Sequence, residues 1–135
     1  MASIYIHIPF CKQACHYCNF HFSTSLKNKQ AIVDSISQEL SLKSNGFSEI
    51  IDSIYFGGGT PSLLEINDFE ILLSKIHKKY SISDSVEITV ECNPDDIYEN
   101  KLIELKKMSI NRLSIGVQSF VDEELKLMNR SHDSN

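Results

Sequence analysis

Basic residues are in short supply in this sequence: 13 Lys and Arg stand against 18 Asp and Glu, for a formal charge of -5. The lysines that are present, such as Lys75, Lys78, Lys79, Lys106 and Lys107, are scattered over expected helices. That distribution argues against a nucleic-acid or anionic-membrane surface. The opening residues, MASIYIHIPF, alternate apolar and polar and reach a proline within ten positions, so they lack the charged and apolar regions of a signal peptide. No apolar run is long enough to span a bilayer, and there is no linker, low-complexity tract or short-period repeat. These absences lead us to expect a cytoplasmic protein with neither a nucleic-acid partner nor a transmembrane segment. The 135 residues are 41% hydrophobic, which suffices for one ordinary core and excludes disorder.

Apolar alternation predicts four strands, at Ser3 to Pro9, Asp52 to Gly57, Val86 to Glu91 and Arg112 to Ser119. Each is followed by a helical stripe. The first is Ile32, Val33, Ile36 and Leu40; the second Ile66, Phe69, Leu72, Leu73, Ile76 and Tyr80. The third is Tyr98, Leu102, Leu105 and Met108, and Val121, Leu125 and Met128 begin a fourth. Strand then helix, repeated, implies parallel strands joined by crossovers, hence an α/β fold.

Proline, glycine and cysteine are few, so their placement is informative. Pro9, Pro61 and Pro94, the triplet Gly57 to Gly59 and all four cysteines lie at or just past the C-terminal ends of the strands, where ligands bind in α/β sheets and barrels. Alternation sends Ile4, Ile6, Ile8, Val86, Ile88, Val90, Leu113, Ile115 and Val117 toward the helices. It leaves Tyr5, His7, Tyr55, Glu87, Thr89, Glu91, Ser114, Gly116 and Gln118 on the other face. That face suits the wide polar lumen of an open barrel; the alternative is a sheet with one face in water.

Cys11, Cys15 and Cys18 form a C-x3-C-x2-C run directly after the first strand. In a reducing compartment such thiols read as metal ligands before disulfides. Three thiolates can hold three irons of a cubane cluster and leave the fourth open. A structural zinc site is the alternative, and would need His16, His21 or Cys92 as fourth ligand. Alternation turns Cys92 away from the lumen and into packing. His16 and His21 read as surface loop positions.

The run Tyr5-Ile-His-Ile-Pro-Phe-Cys11 leading into the cysteines resembles the radical S-adenosylmethionine (SAM) superfamily, in its coproporphyrinogen oxidase and HemW-like branch. The resemblance extends through Gly57-Gly-Gly-Thr-Pro61, Val90-Glu-Cys-Asn-Pro94, Arg112-Leu-Ser-Ile-Gly-Val-Gln118 and Met128-Asn-Arg130-Ser-His132. It implies a partial, open TIM-type βα barrel, of which residues 1–135 are the N-terminal portion, about the first four βα units, with no complete second domain. It implies a [4Fe–4S] cluster on Cys11, Cys15 and Cys18, whose open iron binds SAM and whose electron cleaves it. Tyr17 then lies near the adenine, Gly58, Gly59 and Thr60 approach the SAM amino group, and Glu91 meets the ribose or ammonium. Gln118 and Arg130 face the ribose and carboxylate, and Tyr5 contacts the cofactor region from the first strand. The electron would come from a reductant such as flavodoxin or ferredoxin.

The oxidases of this branch usually carry a further cysteine two residues after the third; here that position is Phe20. The departure resembles the haem chaperones, which keep the cluster and SAM and bind haem. The runner-up is an oxidase converting coproporphyrinogen III to protoporphyrinogen IX, and a zinc-binding module is the remote third reading.

Overall fold

The computed structural model describes residues 2–134; Met1 and Asn135, the ends of the expected domain span, lie outside them. The α/β expectation is borne out. Four strands, β1 (Ala2–Ile8), β2 (Ile50–Gly58), β3 (Ser81–Cys92) and β4 (Arg112–Ile115), alternate with helices α1 (Lys29–Lys43), α2 (Ile66–Lys79), α3 (Glu99–Lys107) and α4 (Asp122–Leu127). All neighbouring strands are parallel, in the order β1-β2-β3-β4.

Register explains which face is buried. Ile6 pairs with Phe56 and Phe56 with Val90, while Ile54 joins Ile4 to Ile88. These side chains share the face packed on Val33 and Leu40 of α1 and on Phe69, Leu72 and Ile76 of α2, and most are fully buried. Phe56 meets Phe69 edge-on, with ring centroids 5.2 Å apart. The helix starts are tied together by charge. Asp68, 1% exposed, accepts from Lys29 Nζ at 2.5 Å and from the Glu65 amide at 2.9 Å, so one carboxylate caps α2 and anchors α1.

Three details differ from expectation. First, β3 begins at Ser81 instead of Val86; between its pairings Ile51↔Ile82 and Ser53↔Glu87, residues 83–86 form a bulge held by Ser83 and Ser85. Second, β4 ends at Ile115 instead of Ser119. The Gly116 and Val117 carbonyls turn to accept from Arg130 and His132, so the chain leaves the sheet although its alternation continues. Ile115, expected against helices, is exposed and borders the cavity at the strand ends. Third, in the third and fourth stripes only Leu105 and Leu125 are buried, while Tyr98, Leu102 and Val121 are exposed.

Candidate functional site

Pro9 ends β1, and the chain then forms a loop closed at its base. The Ser23 amide donates to the Pro9 carbonyl at 2.8 Å, and the Cys11 amide donates to the Ser23 carbonyl at 3.1 Å. The glycine turn after β2 packs directly on this loop. Gly59 donates to the Ile8 carbonyl at 2.8 Å and Thr60 to the Phe10 carbonyl at 2.6 Å. A Cβ on Gly59 would lie 2.5 Å from the Phe10 carbonyl oxygen and 2.9 Å from Cys11 Sγ. At Gly58, φ is +113° and a Cβ would meet the His7 ring at 2.7 Å. The bare backbone expected for approach to a ligand thus also serves the contact between the turn and the first strand.

A cavity of about 390 Å³ opens at these strand ends. It is lined by Cys11, Cys15, Cys18 and Tyr17 from the loop, Gly58, Gly59 and Thr60 from the turn, Glu91 from β3, and Gln118 and Arg130 from the C-terminal part. Every expected site residue except Tyr5 is therefore brought to one place. Tyr5 is 58% exposed, stacks on Tyr55 at 6.0 Å, and borders a separate groove along β1 and α1. Gln118 reaches the cavity by a turn and not by strand alternation, with φ at +66°. That left-handed conformation is rare for a residue other than glycine, asparagine or aspartate.

Glu91 is pinned: Tyr55 Oη donates to Oε1 at 2.7 Å and the Gly58 amide to Oε2 at 3.1 Å. The bond to Glu91 raises the Tyr55 hydroxyl pKa above its ordinary value. Burial raises the Cys11 thiol, opposed by a hydrogen bond from Thr60. A coordinated metal reverses that tendency, because binding deprotonates the thiol. Arg130 draws the most elements together. Nη1 donates to Cys15 Sγ at 3.5 Å and Tyr17 Oη at 3.2 Å; Nη2 donates to Asn93 Oδ1 at 3.0 Å and the Gly116 carbonyl at 2.7 Å. Its Nε is buried without a hydrogen-bond partner among the described residues.

Among the described residues, no three His, Cys, Asp or Glu side chains gather closely enough to hold a single ion. Thiolates on a cubane each bind a different iron, whereas a zinc site gathers its ligands on one ion. Cys92 is 6% exposed in the core cluster, where burial pushes its thiol up to about 11. His16 is exposed and donates from Nδ1 to the Leu127 carbonyl at 2.9 Å, and His21 is exposed. Sequence reasoning missed Asn93, whose partner Arg130 is 37 residues away, and Asn129, whose contacts with the cysteine loop no spacing reveals.

No helix among the described residues is long and apolar enough to cross a membrane. A family model described as the radical SAM superfamily matches residues 5–135. The heme chaperone HemW of Buchnera aphidicola subsp. Schizaphis graminum is 37% identical over 134 residues, covering 97% of this chain and 36% of its own length. HemW of Escherichia coli is 37% identical, covering 96% and 35%. The solved structure of coproporphyrinogen III oxidase (HemN) from Escherichia coli, a radical SAM enzyme, is 30% identical with a TM-score of 0.88, covering 97% of this chain and 31% of that one. The chain spans about a third of the length of these relatives.

Proposed function

This chain belongs to the radical SAM superfamily, and from that premise we propose that it carries the cofactor site of a HemW-like haem chaperone. The family implies SAM and a [4Fe–4S] cluster. The observation that carries the reading is the convergence of Cys11, Cys15 and Cys18 with the Gly58–Thr60 turn, Glu91 and Arg130 on one cavity. Three half-buried thiols, with the fourth cysteine packed in the core, fit a cluster that keeps one iron open. The unpaired Arg130 Nε fits a carboxylate, for which guanidinium is the suited partner.

In this reading Cys11, Cys15 and Cys18 hold the cluster, which when bound supplies the electron for reductive cleavage of SAM. Arg130 binds the SAM carboxylate, Gln118 and Glu91 its ribose or ammonium, and Tyr17 borders the adenine. Gly58 and Gly59 keep the turn close enough for Thr60 and the backbone to line the same space. Tyr5 takes part only in a bound form that draws its exposed ring toward the cavity.

The haem assignment rests on the HemW relatives and on Phe20, which is 70% exposed at the cavity rim where the oxidases carry a further cysteine. The structural likeness to HemN favours the second reading, coproporphyrinogen III oxidation. The proposed setting is the cytoplasm, with a flavodoxin or ferredoxin as reductant. Anaerobic reconstitution followed by iron and sulfide analysis tests the cofactor site: one cubane cluster per chain is expected, and zinc alone would overturn it. For a protein extending through the remaining two thirds of its relatives' length, saturable haem binding without turnover of coproporphyrinogen III is expected. Formation of protoporphyrinogen would establish the oxidase instead.

A further inference from the structure

Spacing selects the three cysteines, but it does not say what keeps their loop in place. The structure shows a clasp between that loop and the last turn of α4. The Asn129 amide donates to the Lys126 carbonyl at 3.0 Å and the Arg130 amide to the Leu125 carbonyl at 2.9 Å. With φ of +57° at Asn129, this is a helix end closed by a left-handed residue, a place where asparagine is tolerated and bulkier residues are strained. The turn presents two successive side chains to the same loop. Asn129 Nδ2 donates to the Ala14 carbonyl at 2.8 Å, and Asn129 Oδ1 accepts from Gln13 Nε2 at 2.5 Å. The His16 amide adds a bond to the Met128 carbonyl at 3.1 Å, and its ring a bond to the Leu127 carbonyl. Arg130 then reaches Cys15 Sγ at 3.5 Å.

The residues fastened by this clasp, Gln13, Ala14 and His16, surround Cys15. Hydrogen bonds to the sulfurs are among the settings of an iron–sulfur reduction potential, since an N–H donor stabilises the more negative reduced state. We propose that Asn129 is a positioning residue of the cluster site: it holds the Gln13–His16 stretch so that Cys15 stays within reach of the Arg130 guanidinium, and so sets the potential at which the cluster accepts its electron. The proposal rests on the radical SAM reading of the three cysteines.

Asn129→Gly separates side chain from backbone, because glycine keeps the left-handed turn and removes both amide contacts. Two measurements are made. In the iron-free protein, hydrogen exchange reports on the His16 amide. In the anaerobically reconstituted protein, a redox titration followed by electron paramagnetic resonance gives the midpoint potential. Asn129→Gly is expected to accelerate His16 exchange several-fold and to shift the midpoint to more negative potential, with iron content retained. Gln13→Ala leaves the turn intact, should produce the same shifts in smaller measure, and decides the matter if Asn129→Gly does not fold. Faster His16 exchange with an unchanged potential would reduce the clasp to a structural fastening and overturn the proposal, as would no change in either. A wild-type protein that takes up no iron sinks the cluster reading itself, and is distinguished because its His16 exchange still reports on the clasp.

Discussion

The two faces of the sheet are made from the same strands and do opposite things. On the helix side Ile6, Ile54, Phe56, Ile88 and Val90 are at most 3% exposed and belong to one hydrophobic core cluster. On the other side Tyr5 is 58% exposed, Tyr55 is tied to Glu91, and Arg112 donates to Thr89 and Glu87. Burial of apolar area stabilises the first face, whereas the second is a set of directed polar contacts that ends at the cavity. Stability and cofactor chemistry are therefore separable here by strand position, odd or even.

The largest effect tests the cavity end of that division. Cys15→Ser is expected to abolish cluster uptake while leaving the unfolding transition of the iron-free protein in place; full cluster content by iron and sulfide analysis would break the comparison at its strongest point. The mirror experiment lies on the helix face. Phe56→Ala removes a fully buried ring packed on Phe69 and should cost about 3–5 kcal/mol in denaturant unfolding, with the ratio of iron to folded protein unchanged.

Glu91→Gln sharpens the division, because Glu91 sits on the polar face beside the buried Val90 and Cys92. Loss of its charge should weaken SAM binding by about 1.5–3 kcal/mol, roughly ten- to hundredfold, with cluster content intact; calorimetry on the reconstituted protein measures it. The smallest effect is expected at Cys92, which follows Glu91 and faces the core. Its thiol is raised to about 11, so below that pH it is neutral and the reactive thiolate is scarce. Alkylation of the folded, iron-free protein should label Cys11, Cys15 and Cys18 first and reach Cys92 only as pH approaches about 11. Cys92→Ser should keep full iron content.

Alternation made β1 legible, since Tyr5 and His7 are exposed and Ile6 and Ile8 buried as their parity requires. The cysteine loop and the glycine turn were legible because ligand spacing and backbone freedom are written in residue type. β4 was read too long for a physical reason. Residues 116–119 keep the alternating pattern, but the Gly116 and Val117 carbonyls are claimed by Arg130 and His132, and Gln118 turns left-handed. The start of β3 was missed because Ser83, Asp84 and Ser85 make a polar bulge. Asn129 stood in the Met128 to His132 motif without a role, as that role depends on where a six-residue helix happens to end.

The two backbone hydrogen bonds that tie Ser23 to Pro9 and Cys11 bear on how the site is filled. A loop shut at its base has already lost much of its chain entropy before iron arrives. In the proposed cluster site, a first iron held by one thiolate would meet the other two on a short tether, at an effective concentration on the order of millimolar or above. If these cysteines hold the cluster as proposed, its assembly would resemble chelation on a ring already closed at its base.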